Sequence, residues 1–269
     1  MARENGPSRR VLELTRASWK VERMSGRPIV ILRAGDALGE VRKVRGDFPK
    51  WIRDTVGDAW DGEWREHDLR ALEALPSIDD AAAWVITGSS SSVTERAPWM
   101  LRTEEYVRAG VSAGVPVLGI CFGHQLVAQA LGGLVTKNPL GRELGTVDLE
   151  VEVHADPDAL FAGLPRSFAV NASHVDSVTR LPEGTRVLAK TALEPVAAYA
   201  LGSATWGVQF HPEFDGDVVR GYVRVRSELM RAEGLAPERA LESAKDTPHG
   251  QEVLRRFVRL PAVSQRKVG

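Results

Sequence analysis

The chain has 269 residues, 43% of them hydrophobic and 26% charged, with a formal net charge of −1 at pH 7. That length suits one large α/β domain or two small ones, and so balanced a charge excludes a global field that attracts nucleic acid or an anionic membrane. One cysteine excludes an internal disulfide and a cysteine-based metal cluster, and no apolar run approaches the roughly 18 residues that a membrane span needs.

The N-terminal stretch "MARENGPSRRVLELTRASWK" lacks the continuous apolar region of a secretory signal. With the lone cysteine, this predicts a cytoplasmic protein. Residues 1–27 read as an N-terminal arm of mixed charge, with Val11, Leu12 and Leu14 as the side chains that would dock a short helix. "PIVILRAGD" (28–36) reads as a buried strand that ends in a Gly-Asp loop. "FPKWIRDTVGD" (48–58) places Trp51, Ile52 and Val56 on one helical face, with Gly57 as a stop. "AAAWVITGSSSS" (81–92) is a strand that breaks into small residues. "PWMLRTEEYVRAGVSAG" (98–114) is a helix that starts at Pro98 and stops at Gly114. "VPVLGI" (115–120) is a further buried strand; it runs into Cys121, and "HQLVAQAL" (124–131) continues as a helix.

The second half changes character. "VDLEVEVH" (147–154) alternates apolar and polar residues with the period of a half-exposed strand. Residues 167–173, 186–191, 195–202 and 205–210 are short strands separated by turn residues. Helices are expected over about 216–233, 237–244 and 249–258. The pattern predicts an α/β fold, with helices on both faces of a mostly parallel central sheet and a strand-rich second half. Residues 28–260 form the domain in this reading, and 261–269 a C-terminal tail.

Cys121 stands in the frame Gly119-Ile120-Cys121-Phe122-Gly123, a strand–turn–helix with small residues around a central nucleophile type. The helix that follows points its free N–H groups and positive end at the thiol, which favours the thiolate, and the Phe122 N–H is placed to bind an oxyanion. A small buried side chain is the competing reading. A thiolate nucleophile needs a histidine base. Of six histidines, His67 lies in a polar stretch, His154 ends an alternating strand, His249 begins a helix, and His124 follows the elbow too closely to turn back. His174 and His211 remain. His211 stands at the tip of a buried strand in "TWGVQFHPEF", where sites form in α/β sheets. Glu213, two residues on, is placed to hold its ring.

With these residues in view, "GICFGHQ" and the downstream "GVQFHPEF" resemble the class I, triad-type glutamine amidotransferases. "VITGSSSSV" (85–93), "GRELGTV" (141–147), "ASHVDSV" (172–178) and "RAGD" (33–36) match further stretches of that family, and the likeness runs from about Ile29 to Phe257. The resemblance implies a flavodoxin-like fold and hydrolysis of a γ-glutamyl amide, with no cofactor and no metal. It implies Cys121 as nucleophile, His211 as base and Glu213 as its orienting partner, with the backbone N–H groups of Gly88 and Phe122 as the oxyanion hole. Gln125, Ser173, His174 and Asp176 are the implied substrate contacts. For His174 and Asp176 the residues alone equally allow a structural loop histidine and a turn residue. Two departures touch the substrate side: four serines follow Gly88, and Val175 stands where some branches carry glycine.

No phosphate loop and no dinucleotide-binding glycine pattern accompanies these motifs. The branch resembled is that of stand-alone GMP-synthase-like amidotransferases and γ-glutamyl peptidases. A small-molecule substrate is expected, either glutamine or a γ-glutamyl compound. A glutaminase subunit feeding ammonia to a synthase partner is the alternative, with a homo-oligomer also open. A non-catalytic binding module that keeps the three residues is the third reading.

Overall fold

Ile29, Val30, Ile31 and Leu32 are all buried, and such a run of apolar side chains suits a strand covered on both faces. The computed structural model describes residues 26–152 and 158–267. Most of the N-terminal arm, with Val11, Leu12 and Leu14, and also His154 lie outside them. Along the chain the elements begin with β1 (Ile29–Arg33), α1 (Gly39–Arg45), α2 (Phe48–Val56), β2 (Trp64–Asp68), β3 (Ala83–Ile86), α3 (Pro98–Ser112), β4 (Val117–Ile120) and α4 (Phe122–Ala130). Strands β5 (Leu134–Lys137), β6 (Glu143–Val151), β7 (Ser167–His174), β8 (Asp176–Arg180), β9 (Thr185–Lys190), β10 (Ala198–Leu201) and β11 (Thr205–Val208) follow. The chain closes with α5 (Gly216–Val225), α6 (Ser227–Ala232), α7 (Pro237–Ser243), α8 (Pro248–Arg259) and α9 (Pro261–Lys267).

One nine-stranded sheet runs β2-β1-β3-β4-β11-β10-β9-β6-β7. Its first five strands pair in parallel, in the 2-1-3-4-5 order of flavodoxin-like folds. From β11 onward the same sheet continues antiparallel. Strands β5 and β8 make a separate antiparallel pair.

Alternation along each central strand divides the core. Ile29, Ile31, Ala83, Val85, Leu118 and Ile120 face one side, where Ile52 and Val56 of α2 and Leu254 and Phe257 of α8 cover them. Val30, Leu32, Trp84, Ile86 and Val117 face the other, under Tyr106 and Val107 of α3 and Leu126 and Val127 of α4. A continuous apolar strand between two helical layers is what the sequence pattern predicts.

Several elements differ from expectation. Strand β2 is the polar "WREHD", half exposed at the parallel edge, so it carries no hydrophobic period to find. Strand β6 begins at Glu143, four residues before the alternation becomes visible at Val147. The expected 216–233 helix is broken: Arg226 sits between α5 and α6 with φ −101° and ψ 10°. Residues 261–267, expected as tail, form α9. Its Val263 is buried, and its Arg266 donates to the Ala81 carbonyl at 3.1 Å.

Helix α3 comes close to the sheet at Gly110. A Cβ there would lie 2.1 Å from the Trp84 ring, which is buried and stacked on Tyr106 at 4.3 Å. Gly110→Ala is therefore expected to destabilise the fold by about 2 kcal/mol or more through overpacking, despite alanine's better helix propensity. Gly39→Ala, in open space at the start of α1, is expected to be neutral or to stabilise by about 0.5 kcal/mol. Urea midpoints of the two variants check this; equal midpoints would refute the packing argument.

Candidate active site

Cys121 occupies φ 52° and ψ −102°; Arg96 is the other non-glycine residue with positive φ among the described residues. Such a backbone costs of order 1–3 kcal/mol and persists only where its surroundings force it. Here the Cys121 N–H donates to the Val208 carbonyl at 2.8 Å, tying the turn to β11. Both flanking glycines are needed for space. A Cβ at Gly119 would lie 2.4 Å from the Gly123 oxygen, and one at Gly123 would lie 2.3 Å from the Ile86 oxygen. Helix α4 then starts at Phe122, with its unpaired first-turn N–H groups at the elbow.

His211 follows β11, which runs beside β4 with Val208 opposite Ile120. Adjacent parallel strands thus deliver Cys121 and His211 to one end of the sheet. The His211 N–H donates to the Asn171 carbonyl at 2.7 Å, and the Asn171 amide donates to the Phe214 carbonyl at 3.1 Å. The His211 ring stacks on Phe214 at 3.9 Å and faces Phe48 at 6.0 Å. Its Nδ1 lies 2.7 Å from Glu213 Oε1, and the ring and the Cys121 thiol are near enough to shift each other's protonation. A Cβ at Gly88 would come within 2.9 Å of His211 Cε1, so the loop after β3 closes over the imidazole only because residue 88 has no side chain.

Burial alone would raise the Cys121 thiol. The positive charge and hydrogen bond of His211, aided by the charge of His174, outweigh it and hold the thiol below its ordinary value. Burial likewise opposes charge on His211, but Glu213 and Cys121 push it up to about 10. Together these describe a buried thiolate–imidazolium pair next to a carboxylate, suited to attack on an electrophilic carbon with a proton ready for the departing group.

Gly88 and Phe122 both border this centre, Gly88 against the His211 ring and Phe122 on a cavity of about 60 Å³ at the thiol. Gln125, Ser173, His174 and Asp176 line the same cavity. The Gln125 amide is spent on protein partners, the Asp176 carbonyl and Gln209 Oε1, each at 2.9 Å. The Ser173 carbonyl lies 3.7 Å from Cys121 Sγ. The Asp176 carboxylate accepts from Ser92 Oγ, joining the serine loop to β8. His174 is locked by its own carboxylates: Nε2 lies 3.0 Å from Glu143 Oε2, and Nδ1 3.8 Å from Glu194 Oε2. Burial disfavours its charge, but the hydrogen bond and charge of Glu143 and the charge of Glu194 raise it.

Sequence reasoning passed over Glu143, Glu194, Asn171, Arg142 and Arg226. Glu143 stood inside the quoted "GRELGTV", and Asn171 was a polar residue in an apolar strand, so both had a signal. Arg226 had none, because it fell within an expected continuous helix. His124 packs on Tyr199 at 4.8 Å, and burial pushes its imidazole down to about 3. His249 packs edge-on against Phe168. Among the described residues no group of three His, Cys, Asp or Glu is arranged to hold a metal ion, and no helix is long and apolar enough to cross a membrane.

Residues 64–221 match the family model described as glutamine amidotransferase class-I. The glutamine-hydrolysing GMP synthase of Aeropyrum pernix is 45% identical over 141 residues, covering 52% of this chain and 25% of that protein. The Parafrankia GMP synthase is 47% identical over 157 residues, covering 58% and 28%. The match therefore spans about a quarter of the length of those relatives. γ-Glutamyl peptidase 4 of Arabidopsis thaliana is 29% identical over 225 residues, covering 83% of this chain and 78% of that one. Among solved structures, a glutamine amidotransferase of Methylobacillus flagellatus superposes with TM-score 0.68 at 22% identity, covering 90% of this chain and 94% of that one.

The charge state of Cys121 is directly measurable. Alkylation by iodoacetamide is expected to lose less rate between about pH 8.5 and pH 6.5 than it does with an ordinary thiol, because the thiol is held below its ordinary value beside an imidazole pushed up to about 10. An ordinary thiol slows by about 50-fold over that interval. In His211→Asn the cation is gone and burial prevails, so the rate should fall steeply as pH drops. A steep profile in the unaltered protein would refute the ion pair.

Proposed function

The chain belongs to the class-I glutamine amidotransferase family, and we propose that it hydrolyses the γ-amide of glutamine or of a related γ-glutamyl compound with Cys121 as nucleophile. One observation carries the proposal: the buried line Cys121–His211–Glu213, with the thiol lowered and the imidazole raised.

In this mechanism the thiolate attacks the γ-carbonyl carbon and the carbonyl π electrons move to oxygen. The backbone N–H groups of Phe122 and Gly88 receive that oxyanion. On collapse the C–N bond breaks, and His211 gives its proton to the departing nitrogen, which leaves as ammonia or an amine. The acyl group remains on sulfur as a thioester. Water then attacks, His211 takes its proton, and glutamate leaves with the thiolate restored. Glu213 holds the imidazole with Nδ1 engaged throughout, leaving the other ring nitrogen for these transfers.

Free-standing hydrolysis is the first reading, since the likeness to the γ-glutamyl peptidase extends over most of both chains. The higher identity to glutamine-hydrolysing GMP synthases supports a second, in which a separate synthase partner accepts the ammonia.

Purified protein is expected to release glutamate from glutamine or a γ-glutamyl peptide, followed by coupled glutamate oxidation. Cys121→Ala should abolish release, and Glu213→Gln should lower kcat by roughly 100-fold or more, since it removes the charge that holds the imidazole. Activity unchanged in Cys121→Ala would sink the mechanism. Activity that appears only with an added synthase would favour the partner reading.

A further inference from the structure

The carboxylate that holds His211 has a second side. Glu213 Oε1 faces His211 Nδ1 at 2.7 Å, while Oε2, equally buried, has no hydrogen-bond partner among the described residues. Glu213 also borders a cavity of about 380 Å³ that Cys121 does not line. The segment after β11 contributes Glu213 and Asp215 to it, and helices α1, α2 and α8 supply the other walls. Its size falls in the range of small-molecule sites, about 300–1,000 Å³.

The cations on these walls differ in how they are paired. Arg45 pairs with Asp215 and Lys50 with Asp54, both at the surface. Arg255 donates its Nε to the Thr55 carbonyl at 2.8 Å, and among the described residues no carboxylate lies within ion-pair distance of its guanidinium. Gln251 stands one turn earlier on the same face of α8, and its amide makes no side-chain hydrogen bond among the described residues. The cavity thus offers a guanidinium without a counter-ion and, at Glu213, an acceptor without a donor. A buried acceptor left in that state is costly. A planar guanidinium matches a phosphate or a carboxylate at two points. Surface pairs are worth little, so Arg45 and Lys50 can turn to a ligand, and three cations suit a dianionic phosphate better than a single carboxylate. One molecule that carries a phosphate and a hydroxyl would complete both Arg255 and Glu213.

We propose that this cavity is a second binding site, separate from the thiol, for a small hydroxylated organic phosphate, with the phosphate on Arg255 and a hydroxyl donating to Glu213 Oε2. The site stands on its own geometry; its consequence for catalysis rests on the amide-hydrolysis reading above. A hydroxyl that donates to Oε2 draws charge from the carboxylate and loosens its hold on the Nδ1 proton of His211. Occupancy therefore acts on the reacting pair through Glu213, without entering the cavity where Cys121 lies.

Calorimetry on the full chain with glycerol 3-phosphate, propyl phosphate and glycerol tests the site without turnover. Glycerol 3-phosphate is expected to bind. Propyl phosphate, which lacks the hydroxyls, should bind about 10-fold more weakly, and glycerol not measurably. Arg255→Met should weaken glycerol 3-phosphate by about 10- to 100-fold, the range of a charge-assisted hydrogen bond. Gln251→Ala leaves the Thr55 contact intact and should weaken it by about 3- to 10-fold; it serves if Arg255→Met does not fold. The proton resonance of His211 Nδ1 reads the coupling. Glycerol 3-phosphate should move it upfield as the bond to Glu213 weakens, and propyl phosphate should leave it in place. No binding, equal binding of the two phosphates, or binding that survives Arg255→Met and is displaced by glutamine would overturn the site. Binding that leaves the resonance unmoved would overturn the contact with Glu213. If glycerol 3-phosphate binds as expected but the protein cleaves no amide, the hydrolysis reading fails and the site stands. If the protein cleaves the amide and the probe does not bind, the site fails and the hydrolysis reading stands.

Discussion

The whole site depends on one cysteine in a backbone conformation that an L-residue resists. At φ 52° Cys121 cannot continue β4 and has not entered α4, so its side chain leaves the turn alone, above the sheet edge. Three neighbours hold it there. The Val208 carbonyl fixes its N–H, and close approaches at Gly119 and Gly123 seat the helix against the strand end and the Ile86 carbonyl. Because β4 and β11 are in parallel register, that strain is also aligned with the end of β11, where His211 waits. A one-residue slip of either strand would turn its side chains to the opposite face. The apolar core on both faces of the sheet is what forbids the slip.

Around this turn the protein has buried several titratable groups, and their pairing explains their tolerance. The thiolate faces a protonated His211, which is itself held by Glu213. Burial works against charge on His174 but Glu143 pushes its imidazole up, while burial raises the neighbouring Glu194. Ser177 and the Val196 N–H satisfy the Glu194 carboxyl on one oxygen. In a low-dielectric setting each such pair is stable only as a unit, and losing one member strands the other. Geometry within these pairs is therefore narrowly determined.

Legibility from sequence followed the size of the local signal. Strands β1, β3, β4 and β11 were readable because two-sided burial demands a continuous apolar run. Helices α2, α3, α4 and α8 were readable from an apolar face and a Pro or Gly at an end. Strand β2 was not, since an edge strand needs no apolar face and "WREHD" has none. Cys121, His211 and Glu213 could be proposed because each stands at the end of a legible strand or in a short motif. The structure brings the three together. Glu143 and Glu194 form a cluster with His174 only through tertiary pairing of β6 with β7 and the loop before β10. Their juxtaposition has no local trace. Arg226 is the sharpest case, because its place on the cavity at the thiol depends on a helix break that composition does not announce.

The antiparallel half of the sheet also has a task that its pattern alone did not suggest. A parallel sheet of the β2-β1-β3-β4-β11 kind brings loops to one edge but leaves that edge open to water. Here β7 returns along the far side of the sheet, and its residues reach back over the opening. The Asn171 carbonyl holds His211, and the Asn171 side chain spans to the Phe214 and Lys245 carbonyls. Ser173 lies between the thiol and Arg226. Strand β7 is in turn held along its length by β6, from Glu143 opposite His174 to Glu150 opposite Ser167. The wall facing Cys121 is thus a paired strand rather than a free loop, and a wall of that stiffness can keep a guanidinium, a hydroxyl and a thiol at fixed spacing. The half of the fold that departs from simple parallel alternation is therefore the half that walls the thiol and holds His211 in place.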